Sequence, residues 1–185
     1  MVKKSILLHC IFILTACSPV EQSPFNIYTE LAPATQDASK DSRIQPFVKL
    51  YNGMKNEALT DLIENAYTEK IYFNDTLVTI DSRKELIRYL KTTAEQVDNL
   101  ELSVLDVTAI GQNDQDLIVR WTMVTHLTLL GKEKKIDSAG ITHLHLNGQG
   151  KIILHQDFWD SMQGFYQHIP ILGGLLRWIK YRVHS

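Results

Sequence analysis

Cysteine is nearly missing from this chain, and its placement limits what the rest can do. The 185 residues hold two, Cys10 and Cys17, both near the amino terminus. From Ser18 onward there is no thiol, which excludes a disulfide framework and cysteine nucleophilic catalysis. A folded domain must therefore hold through its core alone. An excess of positive charge is missing too: 19 Lys and Arg stand against 21 Asp and Glu, with no basic stripe, which argues against a nucleic-acid surface. No hydrophobic run is long enough to span a bilayer comfortably; "SILLHCIFIL" near the amino terminus is too short. No cofactor-binding motif stands out.

The amino terminus instead has the order of a targeting segment. Met1-Val2-Lys3-Lys4 is basic, the apolar stretch follows, and Leu14-Thr15-Ala16-Cys17 ends it with small residues before a cysteine. This resembles the bacterial lipoprotein signal. The resemblance implies that residues 1–16 are removed and that Cys17 is lipidated. It places the mature chain in the bacterial cell envelope, held on a membrane through the lipid. With Ser18 rather than Asp after the cysteine, that is the outer membrane, facing the periplasm. Acyl chains contribute about 0.8 kcal/mol per buried methylene, so several chains anchor a protein stably. Residues 17–45 are rich in proline and small polar side chains and lack a sustained period, so they read as a flexible tether.

From Pro46 the pattern changes. Pro46 suits the first turn of a helix carrying Phe47, Leu50, Tyr51 and Met54, and Leu59, Leu62, Ile63 and Ala66 make a second helical stripe. "KIYFND" reads as a short strand. Ser82 and Glu85 have capping-box spacing ahead of a helix with Leu86, Ile87, Leu90 and Ala94. Four strand-like runs follow, "LELSVLDVTAIG", "DLIVRWTMVTHLTLL", "KIDSAGITHLHLN" and "KIILHQDFWD", separated by Gly/Asn-rich turns that favour antiparallel neighbours. Helices first and a meander afterwards define an α+β domain over residues 46–160, with helices covering a strongly curved, mainly antiparallel sheet around a conical cavity.

This order, with "LTDLIENAYTEKIYFND", "LIVRWTMVTHLTLLGK" and above all "GKIILHQDFWD", resembles the nuclear transport factor 2 superfamily and its SnoaL-like group. The superfamily contains isomerases, cyclases, epoxide hydrolases, dehydratases and noncatalytic members. The resemblance thus implies a fold, and a small, mostly apolar ligand, more firmly than an activity. Homodimers are common in it, which makes one plausible here. The Arg-x-Asp element of its epoxide hydrolases is broken, since Thr122 stands where the Asp would follow Arg120. No convincing ketosteroid isomerase set of helix tyrosine, base and buried acid is present.

The last hairpin concentrates the chemistry. If Gly150 takes the left-handed position of a three-residue loop, Asn147 and Lys151 flank the turn, and paired positions sum to 298. His143 then faces His155, Ile141 faces Asp157, and His145 faces Ile153. His143, His145, His155, Asp157 and Trp159 share one face, and Leu144, Leu146, Ile152, Leu154 and Phe158 the other. Two readings remain open. Either the aliphatic face is core and the histidines look to solvent or a partner, or His143 and Asp157 line the cavity as catalytic residues. SnoaL-like cyclases use an aspartate and a histidine on adjacent strands for proton transfer, and His143 and Asp157 resemble the matching positions. A shift of one residue would exchange the faces. A metal is not expected, because His145 and Asp157 would stand roughly 13 Å apart along the strands.

His155 and Trp159 on the same face, Tyr51 and Tyr67 on the helices, Asn74 at the cavity mouth and Trp121 on a central strand are the further ligand-binding candidates. For Trp121 and the tyrosines, core packing is the competing role; for Asn74 it is a turn. Residues 161–185, dense in Ile, Leu and Trp with Arg177, Lys180 and Arg182, suit a helical extension that closes the cavity, packs on a second subunit or touches membrane.

Overall fold

The computed structural model describes residues 23–35, 38–112, 114–129, 131–166, 174, 178–179 and 181–182. The targeting segment and Cys17 lie outside them, as does most of the carboxy-terminal extension.

Helix α2 (Gln45–Asn52) begins with proline in its first turn and buries Phe47, Leu50 and Tyr51. Helix α3 (Leu59–Ala66) buries Leu59, Ile63 and Ala66. These are the two apolar stripes of the sequence. Strand β1 (Tyr67–Asn74) follows without a loop, and a four-residue β2 (Thr79–Ser82) leads into α4 (Arg83–Gln96). Ser82 sits at the N-cap of α4, yet its side chain makes no capping bond, so the expected capping box does not form. The meander is β3 (Val97–Ile110), β4 (Asp116–Leu129), β5 (Lys132–Leu146) and β6 (Ile152–Trp159).

The six strands form one sheet in the order β2-β1-β6-β5-β4-β3, antiparallel throughout except that β1 runs parallel to β6. Closing the sheet this way puts the last strand in its centre, beside the first. Helices α2, α3 and α4 cover one side, and the core between them joins Ile63, Phe73 and Leu86 to Leu117, Val119 and Leu144. The α+β architecture expected from the sequence is the one observed.

The expected tether is corrected where it is described. Ser23 accepts a hydrogen bond from the Asn26 amide and Pro24 opens helix α1 (Pro24–Leu31). Beyond it Arg120 donates to the Ala32 and Pro33 carbonyls at 2.8 and 3.1 Å, and the Thr35 amide donates to Leu105. Two short 3₁₀ turns then bury Ala38 and Ile44. Backbone pairing and the buried Ile44 offset ordering entropy that composition alone does not.

Candidate functional site

The turn of the last hairpin forms as its sequence suggests. Gly150 has φ +76°, which favours glycine, and the Asn147 amide donates to Lys151. Leu146 pairs with Ile152, a sum of 298, but the next pair is His145 with Leu154, a sum of 299. Ile153 is an extra residue on β6, a β-bulge, and from it onward the parity is reversed. Thr142 pairs with Asp157 and Leu144 with His155.

The bulge corrects the expected faces. His155 and Asp157 point inward, 0% and 7% exposed, beside Leu144 and Thr142. His143 and His145 point outward, each about a third exposed, and both approach Asp116 Oδ1 at 3.3 and 2.7 Å. His145, and less strongly His143, hold the Asp116 carboxyl below the usual carboxylate range. His143 and Asp157 therefore do not share a cavity. On the aliphatic set, Leu144, Leu146 and Ile152 are core, whereas Phe158 is 58% exposed.

Inside, five side chains form one hydrogen-bonded chain. Trp121 Nε1 donates to Thr142 Oγ1 at 2.7 Å, and Thr142 donates to Asp157 Oδ1 at 2.5 Å. His155 Nε2 lies 2.8 Å from the same Oδ1, and its Nδ1 lies 2.7 Å from the Tyr67 hydroxyl. Burial, then the nearby Asp157 charge, pushes the Tyr67 phenol well above its ordinary value. Tyr51 is pushed the same way by burial, then by Tyr67 and Asp157. Both phenols stay protonated, and His155 donates Nε2–H to the carboxylate while its Nδ1 is hydrogen-bonded to the Tyr67 hydroxyl. Two donors converge on Oδ1, and among the described residues none reaches Oδ2.

The surroundings are aromatic. Phe73, Phe47, Tyr67 and Tyr51 stand with ring centroids 4.7, 5.8, 6.1 and 6.2 Å from that of His155. Tyr51 lies on α2 as expected, but Tyr67 is the first residue of β1. Trp121 is 3% exposed, and its ring lies where a Cβ on Gly140 would sit, 2.5 Å away. Trp159 donates to the Asp75 carbonyl at 2.8 Å. Asn74 bonds Thr79 at 2.7 Å and caps the turn through the Thr76 amide, the turn role that competed with ligand binding. Asp75 accepts the Leu77 and Val78 amides and the Tyr89 hydroxyl. Burial and Asp75 raise the Tyr89 phenol above its usual range.

The residues not anticipated are Thr142 and Tyr89. Thr142 becomes the partner of Asp157 only once the bulge is counted. Among the described residues no group of His, Cys, Asp and Glu is arranged to hold a metal ion.

Helices packed on a curved, mainly antiparallel sheet are the nuclear transport factor 2-like cone fold. Residues 52–155 match the family described as "uncharacterized conserved protein (DUF2358)", and the chain belongs to that family. Solved structures with the same fold include an NTF2-like protein of unknown function from Exiguobacterium sp. 255-15. It is 13% identical, with TM-score 0.56, covering 65% of this chain and 99% of that one. A candidate SnoaL-like polyketide cyclase from Jannaschia sp. CCS1 is 15% identical, with TM-score 0.53, covering 69% and 90%. An LEH-like epoxide hydrolase of M. tuberculosis is 17% identical, with TM-score 0.52, covering 77% and 96%. No curated protein sequence matches the chain.

Proposed function

We propose that the cone interior takes a small, mostly apolar molecule and that Asp157 exchanges a proton with it, in isomerase- or cyclase-type chemistry, on a chain anchored to the cell envelope through lipid at Cys17. One observation carries the catalytic part: Asp157 holds two converging hydrogen bonds on Oδ1 while Oδ2 takes none from a described residue, on a nearly buried carboxylate. A carboxylate oriented through one oxygen presents the other as a base without reorganising. His155, fixed by Tyr67, orients Asp157 and stabilises its charge.

The test is mass spectrometry of small molecules released from the gently purified protein and from its Asp157→Asn variant. Each released compound is then offered to both proteins. The proposal expects the same compound in each and conversion by the wild type alone. Conversion by both would remove Asp157 from the chemistry.

A second reading, a noncatalytic ligand-binding or protein-interaction module of the envelope, is favoured by the four aromatic rings packed round a fully buried His155. It predicts a retained compound that neither protein alters, or no compound at all.

A further inference from the structure

The carboxy-terminal segment separates its charge from the rest of the chain. Residues 161–185 hold Arg177, Lys180 and Arg182 and no Asp or Glu, whereas residues 1–160 hold 16 Lys and Arg against 21 Asp and Glu. Aliphatic side chains are interleaved with those cations. At the helical period Leu172, Leu175, Ile179 and Val183 fall on one arc, and Arg177 and Lys180 fall outside it.

The described part of the segment is helical and turned to water. Trp178, Ile179, Tyr181 and Arg182 are helical, and the first three are 55%, 43% and 75% exposed. Of the eleven large apolar side chains exposed among the described residues, five lie between Met162 and Tyr181, so the exposed apolar surface gathers where the acids are missing. Arg182 holds its guanidinium over the Trp178 ring, 5.2 Å from the centroid, which puts a cation and an aromatic in one patch. The domain leaves these side chains uncovered, and a second copy would bring its own three cations against them. A surface with negative charge above an apolar layer satisfies both halves of the pattern. An anionic bilayer is such a surface: basic residues meet the phosphates, Trp and Tyr settle at headgroup level, and aliphatic side chains lie below.

We propose that residues 172–183 dock as an interfacial helix on an anionic phospholipid bilayer, with Trp178 and Ile179 entering the headgroup boundary and Arg177, Lys180 and Arg182 meeting the lipid phosphates. The contact is separate from the interior carboxylate and does not need a lipid at Cys17.

Vesicle co-sedimentation of the chain from residue 17 onward, carrying Cys17→Ser, tests it, because neither the apolar amino terminus nor a lipid then contributes. The described fold begins at residue 23 and is kept whole. Binding to phosphatidylglycerol vesicles at low salt is expected to be at least about tenfold tighter than to phosphatidylcholine vesicles. It weakens as salt rises, and it moves the emission of the exposed Trp178 to the blue. Replacing Arg177, Lys180 and Arg182 together by Gln removes the preference for phosphatidylglycerol. Trp178→Ala combined with Ile179→Ala weakens binding by about tenfold or more and leaves the oligomeric mass and the urea midpoint unchanged, since both side chains are about half exposed. Absence of binding to phosphatidylglycerol vesicles, equal binding to the two lipids, or undiminished binding by the double variant would each overturn the proposal. So would a lower mass or urea midpoint in that variant, which would place the segment on a second copy or on the domain itself.

Discussion

Trp121 has one polar hydrogen and nothing to accept with, so its bond to Thr142 sets the polarity of the interior chain. Thr142 must accept from it and donate onward to Asp157. Thr142→Val, nearly isosteric, orphans the indole N–H and strips one donor from the carboxylate. Urea unfolding is expected to show a loss of about 1–3 kcal/mol, with a shift in Trp121 fluorescence. The phenols give a pH signature. Tyr51 and Tyr67 have folded values raised well above 10, so their contribution is complete below pH 10. It is lost above that, because the unfolded chain ionises first. Each phenol removes about 1.4 kcal/mol per pH unit in that range. Denaturation between pH 8 and 11.5 should steepen from 10 upward, less so in Tyr67→Phe.

At the scale of elements, the hairpin shows where sequence reading reaches its limit. Four strands and three turns are legible because alternation with a period of two breaks at Gly and Asn, and the Gly150 turn forms as read. The bulge at Ile153 is not legible: it falls within "IIL", where every residue is apolar and an extra one leaves no trace in the pattern. That single residue exchanges His143 for His155 at the site. The parity can be tested directly. Replacing outward His143 by Ala is expected to change stability by no more than about 0.5 kcal/mol. His155→Leu leaves the Tyr67 hydroxyl and one Asp157 bond unmade and should cost about 2–5 kcal/mol in the same assay. Equal effects would place both rings on one face. Helix α1 escaped notice for another reason. Its signal, Ser23 as cap with Pro24 behind it, sits in a Pro- and Ser-rich stretch, and its hold on the domain comes from Arg120, 88 positions away from Ala32 in the chain. The pairing of β1 with β6 is likewise nonlocal, and β2, only four residues long, carries too little pattern to read.

For the whole molecule, the docked α1 changes what a lipid at Cys17 would do. A free tether over residues 17–45 could extend by roughly 95 Å, whereas with Ser23 already capping a docked helix, six residues from Cys17 reach at most about 20 Å. On the proposed lipidation, the domain is held against the bilayer with α1 near the headgroups. Arg120 is the clasp, since its guanidinium holds both the Ala32 and Pro33 carbonyls. Arg120→Ala is expected to speed amide exchange in α1 while leaving β4 and β5 protected. In lipidated protein on vesicles, it should also lower energy transfer from the domain's tryptophans to a headgroup acceptor. Faster exchange without a change in transfer would mean that residues beyond α1 keep the domain close. Slow exchange in the variant would show that α1 is held by contacts other than those of Arg120. Cys17→Ser separates the anchor from the clasp: it should release the protein from uncharged vesicles altogether with α1 exchange unchanged.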